Sequence, residues 1–366
     1  MDRAVATQAQ PPRTATPPRP TASCAEALPR LADYDAIVDV RSPSEFAEDH
    51  LPGAINCPVL DDEQRARVGT LYRDSAFAAR RVGGALVARN IAAHLERTFA
   101  DWPRRWRLLV YCWRGGQRSA AMVHVLRAVG WQADQLEGGY RAFRRHVLAD
   151  LAELPQRLTL RVICGPTGSG KSRLLRHLQR HGAQVLDLEG IAQHRGSVLG
   201  AMPEAPQPTQ KAFDTLLWQA LRALDPQRPV FVESESRKVG QLRLPDALIE
   251  RMRAAACLRL RLPTEARVRL LRDEYAHFEA DVPSLLRQLD CLVALHGQER
   301  VTLWKRLAAE HRWNEMVARL LDEHYDPAYE RSIRRNFPGA ACAADVCLSG
   351  ETEPEFDRAA AALAAG

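Results

Sequence analysis

The sequence predicts an α/β protein made of two parallel-sheet units, the second carrying a helical insertion. Three observations predict it. Two apolar strand-like runs, 108–111 and 160–163, each lead into a glycine-containing loop and then into residues with helical spacing. Other short apolar runs alternate with helical patterns, as parallel strands joined by crossover helices require. The rhythm breaks over 151–158, where Pro155 interrupts it, and this sets a boundary between a unit at 24–150 and one at 151–366.

The elements follow in chain order. Residues 1–23 are rich in Pro, Ala, Thr and Arg, lack the apolar segment of a signal peptide, and read as a disordered tail. A short strand is expected at 36–40 and a second at 108–111. The helix 117–129 places Met122, Val125, Leu126 and Val129 on one face and stops at Gly130. An edge strand at 131–136, a Gly138-Gly139 turn and a helix at 140–148 complete the first unit. In the second, strands are expected at 158–164, 185–188, 230–233, 257–262 and 346–348. The helix after the second loop turns Leu174, Leu175 and Leu178 inward. From 264 to 335 the pattern is almost wholly helical, with two to four helices expected.

Composition sets limits. Of 366 residues, 46% are apolar and 26% charged, ordinary for a globular protein, and no run is long enough to span a bilayer. Eight cysteines without a Cys-x-x-Cys pair argue against a zinc site or a disulfide framework and for reduced thiols in a cytoplasmic compartment. Cys342 and Cys347 are expected to be structural, with 346–348 a buried strand. A net charge of +6 permits nucleic-acid binding without demanding it.

The first loop runs Cys112-Trp113-Arg114-Gly115-Gly116-Gln117-Arg118-Ser119. A thiol between a strand end and a helix N-terminus lies in partial positive charge, and Arg114 and Arg118 add to it. Such a setting favours thiolate and holds an oxyanion before the sulfur, so Cys112 is a candidate nucleophile. The loop alone fits a structural cysteine equally well. The second loop, Gly165-Pro166-Thr167-Gly168-Ser169-Gly170-Lys171-Ser172, matches the Walker A pattern in full. Its backbone at Gly165, Gly168, Ser169 and Gly170 would cradle a phosphate chain, Lys171 would reach the terminal phosphates, and Ser172 would join a magnesium shell. A nucleotide or a non-nucleotide diphosphate would dock alike. Two strand-end carboxylates compete as the acidic partner: Glu233, and Asp187 in the segment 185–189. Helix caps and surface ion pairs explain both as well.

Context adds a resemblance. The segment Asp39-Val40-Arg41-Ser42-Pro43-Ser44-Glu45-Phe46, then His50-Leu51-Pro52-Gly53-Ala54-Ile55-Asn56, and Leu136-Glu137-Gly138-Gly139-Tyr140 resemble rhodanese domain signatures. This implies a persulfide-carrying role for Cys112 and fold-holding ion pairs for Asp39, Arg41 and Glu45. The Cys-x5-Arg spacing is longer than in many rhodaneses. It resembles the phosphate-wrapping loop of cysteine phosphatases, which points to a tetrahedral phosphorus ligand. The order of the cysteine loop, the Walker loop, the run 187–197 and Glu233-Ser234-Glu235-Ser236-Arg237-Lys238-Val239-Gly240 resembles the bacterial tRNA 2-selenouridine synthase family, as do 68–72 and 83–90.

The resemblance implies a rhodanese-like domain joined to a P-loop NTPase-like domain. It also implies two reactions at a wobble 2-thiouridine of tRNA. Geranyl diphosphate alkylates the 2-thio group, and selenium from selenophosphate then replaces S-geranyl. The Walker loop suits the first reaction and Cys112 the second. The segment 264–335 would then face tRNA, with Arg267, Arg269, Arg272 and Lys305, and Arg251 and Arg253 just before it, on phosphates and Trp304 and Trp313 stacking on a base. Three rivals share the motifs. A sulfurtransferase fused to an ATPase would give a different product mass. A cysteine phosphatase fused to a kinase would carry His where Tyr111 stands. A vestigial binding protein would have lost Cys112 or Lys171.

Overall fold

The structure, a computed structural model, describes residues 21–202 and 206–365. The chain divides into one compact unit up to His146 and a second from Val147. The division falls inside the helix Gly139–Glu153, four residues before the expected boundary. Pro155 begins no break of its own; it opens a short 3-10 turn, Leu154–Arg157, after that helix.

The first unit is a five-stranded sheet in the order β1-β5-β4-β2-β3. Its strands are β1 (Thr21–Ala22), β2 (Ala36–Asp39), β3 (Ala54–Asn56), β4 (Arg107–Tyr111) and β5 (Gln132–Leu136), all paired in parallel. Leu108 to Tyr111 are fully buried, the continuous apolar run that a parallel strand covered on both faces needs. β5 is not the edge strand expected, because β1 pairs outside it through Thr21↔Gln135 and Ala22↔Leu136. β1 thus takes Thr21 and Ala22 out of the expected tail; the expectation for residues 1–20 lies outside the described residues. Ser23 then caps the helix Cys24–Ala27 in a capping box with Glu26.

The helix Gln117–Val129 has the expected bounds and ends on a left-handed Gly130. Its buried stripe is Ser119, Met122, Val123 and Leu126, the i, i+3, i+4, i+7 set, so Val129 of the expected face is exposed. Between β3 and β4 the chain forms a helical hairpin, Asp62–Asp74 and Ala76–Arg97. Ser75 closes the first helix and caps the second. Gly83 lets the two approach: a Cβ there would sit 3.3 Å from Val68 Cγ1.

The second unit is a five-stranded sheet in the order β12-β11-β6-β8-β7. It contains β6 (Thr159–Cys164), β7 (Gln184–Leu186), β8 (Pro229–Glu233), β11 (Ala256–Arg261) and β12 (Ala344–Cys347), again all parallel. A two-stranded ribbon, β9 (Lys238–Val239) with β10 (Leu242–Arg243), had no apolar run to announce it. Leu174, Leu175 and Leu178 pack inward against Phe231, Leu260 and Phe356, as their spacing predicts. β12 lies at the sheet edge and leaves Cys347 exposed rather than buried; Cys342, at the end of the 3-10 turn Pro338–Cys342, is exposed too, while Leu348 enters the core and Val346 packs against it.

The insertion holds more and shorter helices than the two to four expected, among them Thr264–Glu274, Val282–Leu289, Gln298–Ala309, Trp313–Leu320 and Asp326–Asn336. A π-helical turn, Leu321–Tyr325, joins the last two. The insertion carries its own core, centred on Trp304, Leu289, Leu292 and Val301.

Candidate functional site

The cysteine loop leaves the C-terminal end of β4. Cys112 is 3% exposed, and its sulfur accepts from the Gly116 amide at 3.3 Å and lies 3.2 Å from Ser119 Oγ. Gln135, on β5, donates to Ser119 Oγ at 2.9 Å and to Gly115 O at 2.7 Å, so the neighbouring strand sets both the hydroxyl and the loop. The Leu136–Tyr140 signature clamps the loop from the other side. The Tyr140 amide donates to Cys112 O and the Arg141 amide to Trp113 O. Gly115 has φ +64°, and a Cβ there would fall 2.6 Å from Leu136 O. The loop at Gly115 thus makes a close backbone approach that a side chain would prevent.

The ion pairs expected to hold the fold are present. Arg41 and Asp39 are fully buried and paired at 2.6 Å, and Arg41 also donates to Asp49 O. Glu45 has a further role that sequence reading missed. Its carboxylate binds Arg118 of the cysteine loop at 3.0 Å and Arg65 at 3.0 Å. Burial opposes its ionisation, yet Arg118, the Ser42 amide and Arg65 prevail and hold it below the usual carboxylate range. Arg118 is thereby oriented from outside the loop, while Arg114 is exposed.

The Walker loop follows β6. Gly168 and Gly170 take φ of +76° and +84°. Lys171 Nζ donates to Gly165 O at 2.9 Å, and Ser169 Oγ is buried with no hydrogen-bond partner among the described residues. Ser172 Oγ lies 2.9 Å from Glu189 Oε2 and 3.2 Å from Glu233 Oε2. Glu233, fully buried at the end of β8, is thus an acidic neighbour of Ser172, as one of the two alternatives expected. The other alternative shifts by two residues. Asp187 lines the cavity, but its Oδ1 accepts from the Gly190 amide as the cap of Leu188–Ala192, and Glu189 reaches Ser172 instead.

Burial raises the Glu189 carboxyl to about 7, with repulsion from Glu235 adding and Lys171 opposing. Burial likewise pushes Glu233 well up, helped by Glu189 and Glu235, and raises Glu235. Glu235 lines the same cavity, a space of about 610 Å³ that also includes Lys171, Ser172, Arg195 and His324 in its wall. His324 Nδ1 lies 2.8 Å from His296 Nε2. A smaller chamber of about 60 Å³ adjoins it. Leu271, Phe278, Met316 and Leu320 line that chamber, and it shares Thr167, Ser197, Leu271, Tyr275 and Tyr325 with the larger cavity.

The residues expected to face tRNA have partners or packing positions within the chain. Arg267 is 5% exposed; it pairs with Asp326 at 2.6 Å and donates twice to Thr167 O, so it braces the Walker loop. Arg269 pairs with Glu351, Arg272 with Glu279 and Lys305 with Asp290. Arg251 donates to Leu158 O and Arg253 to Asn336. Trp304 is fully buried and Trp313 nearly so, because the insertion builds its core from them. The sequence pattern had no means to separate a core tryptophan from a stacking one.

A thiol-bearing loop on one parallel sheet and a Walker loop on another define a two-module enzyme of rhodanese and P-loop type. The comparisons agree. The rhodanese-like domain family matches residues 23–146, and the tRNA 2-selenouridine synthase AAA domain family matches residues 158–287. A tRNA 2-selenouridine synthase of Sulfurovum sp. is 32% identical over 348 residues, covering 85% of this chain and 94% of that protein. One of Shewanella loihica is 33% identical, covering 83% and 88%. One of Nitrosomonas europaea is 36% identical over 244 residues, a match that spans 65% of this chain and 63% of that relative. The chain belongs to the tRNA 2-selenouridine synthase family. Among the described residues, no helix is long and apolar enough to cross a membrane.

Proposed function

We propose that this chain makes 2-selenouridine at the wobble position of tRNA in two steps, geranylation by geranyl diphosphate and then replacement of S-geranyl by selenium from selenophosphate. The observation that carries the reading is the apolar chamber sharing a wall with the Walker cavity. A nucleotide would present a polar sugar and base to that wall, whereas a prenyl diphosphate presents hydrocarbon. At roughly 10–15 Å³ per water-sized group, the chamber of about 60 Å³ holds about one isoprenoid unit. The remainder of a ten-carbon chain would lie in the larger cavity.

In the first step the C–O bond of geranyl diphosphate breaks, the C–S bond to the 2-thio group forms, diphosphate leaves with the electron pair, and the N3 proton passes to solvent. Lys171 and the loop amides of Gly165, Gly168, Ser169 and Gly170 stabilise the charge developing on diphosphate. The Ser172 hydroxyl and the Glu189 and Glu233 carboxyls beside it are oxygen donors of the kind magnesium takes. Among the described residues no three His, Cys, Asp or Glu side chains converge as metal ligands. A magnesium ion would therefore take Ser172 and Glu233 and fill its shell with phosphate oxygens and water. When bound it would neutralise phosphate charge.

In the second step the Cys112 sulfur attacks the phosphorus of selenophosphate. An S–P bond forms, the P–Se bond breaks, and selenium leaves as hydroselenide. Hydroselenide adds at C2 of the geranylated base, its proton passes to N3, and geranylthiolate leaves. Water then cleaves the S–P bond, returning the thiol and phosphate. Selenium stays at the selenide level throughout, so no oxidant or reductant enters; a seleno-persulfide on Cys112 would need one. The donors to Cys112 and the Arg118–Glu45 pair support a phosphoryl group at this loop. The test is mass spectrometry of tRNA nucleosides after incubation with each co-substrate separately. Geranyl diphosphate alone should add a geranyl group, and selenophosphate should then exchange it for selenium. Sulfur or phosphate transfer instead would overturn the reading.

A further inference from the structure

The tip of the helical hairpin in the first unit gathers charge and aromatic surface that the fold does not use. Tyr72 and Arg73 lie in the last turn of Asp62–Asp74, and Phe77, Arg80 and Arg81 in the first turns of Ala76–Arg97. Phe77 is 77% exposed and Tyr72 48% exposed, and all three arginines are exposed. Among the described residues none of these arginines has an ion pair or a hydrogen-bonding partner, and the one acidic residue between them is Asp74. Most arginines of the insertion are placed differently. There Arg267, Arg269, Arg272, Arg300, Arg312 and Arg319 are each committed to carboxylates. Single exposed apolar residues need no explanation. Two aromatics interleaved with three unpaired arginines at one turn form the combination that binds single-stranded nucleic acid, by stacking and by phosphate contact.

We infer that this hairpin tip is the surface that grips the RNA substrate, with Arg73, Arg80 and Arg81 on the backbone and Phe77 and Tyr72 against unpaired bases. The inference rests on the proposed tRNA substrate for the partner's identity, and on the exposed tip alone for its place. It commits to RNA because unpaired guanidinium groups complement a polyanion, and because the exposed aromatic rings beside them offer stacking platforms for unpaired bases.

The experiment measures binding of unmodified tRNA by the full chain across a salt series. For the wild type, the logarithm of affinity should fall linearly with the logarithm of salt. The triple variant Arg73→Gln, Arg80→Gln, Arg81→Gln should lower that slope by about two, at about 0.7 per lost single-strand contact. Phe77→Ala should weaken binding by roughly 5- to 100-fold at constant slope, as loss of one stacked base does. These positions are exposed, so the melting temperature should stay unchanged and report an intact fold. Wild-type slope and affinity in both variants would overturn the inference. So would a tip variant that loses self-association instead, measured by sedimentation, which would make the tip a protein contact. A wild-type protein that binds no tRNA would sink the functional reading itself, a separate result.

Discussion

At Cys112 and Lys171 two loops of similar plan face different chemistry. The thiol is nearly enclosed and takes donors from Gly116 and Ser119, whereas the ammonium of Lys171 rests on Gly165 O at the wall of an open cavity. Cys112→Ala should abolish selenium incorporation and leave geranylation intact, read as nucleoside masses; a normal 2-selenouridine yield would rule out the assignment. Lys171→Ala removes one electrostatic donor to a departing diphosphate, an effect of about 3 kcal/mol, or about a hundredfold in rate. Geranylation should slow by that factor in single-turnover assays, while pre-geranylated tRNA is still converted. If both reactions slow together, the loops serve one site. Both residues were legible in the sequence because each loop is contiguous. Their supports were not: Gln135 and Glu45 reach the cysteine loop, and Glu189 reaches Ser172, across gaps that only strand order closes.

Elements fix what single residues cannot. β8 delivers Glu233, and the short helix after β7, Leu188–Ala192, delivers Glu189, against the same hydroxyl. These carboxyls are raised in the folded state, so the folded protein holds their protons longer than the unfolded chain does. Their contribution to stability is therefore full below the unfolded carboxylate range near about 4.3 and is lost as pH rises through about 7 for Glu189. Without ligand, the melting temperature of the second unit should fall between about pH 5 and pH 8, and Glu189→Gln should flatten that fall. A melting temperature that rises over this range would contradict the assignment. The Thr264–Glu274 helix has a different task. Through Arg267 it ties Asp326 to the Walker loop carbonyl of Thr167. Losing a buried arginine that leaves a carboxylate behind costs about 3–5 kcal/mol. Because Asp326 is partly exposed and can rehydrate, Arg267→Ala should cost about 2 kcal/mol by denaturant titration. It should also weaken diphosphate binding while the tRNA salt slope stays constant. The sequence showed the arginine but not its direction, since a helical pattern rich in Arg reads the same whether its charges meet phosphates or neighbouring carboxylates.

Across the whole molecule, the order of the two loops and most strand positions could be read from contiguous apolar runs. The β1 edge, the β9–β10 ribbon and the many short helices of the insertion could not, because two-residue strands and broken helices carry no period to detect. The proposed division of labour has a consequence at this scale. If each loop completes its own reaction, the geranylated tRNA made at one is a stable covalent product that the other can receive from solution. Cys112→Ala protein alone should accumulate geranylated tRNA, and Lys171→Ala protein alone should leave thiolated tRNA nearly unchanged. A mixture of the two, given both co-substrates, should form 2-selenouridine after a lag that shortens as the Lys171→Ala protein is increased. Failure of the mixture, with each variant folded and Lys171→Ala active on pre-geranylated tRNA, would mean that the intermediate never leaves the chain that made it.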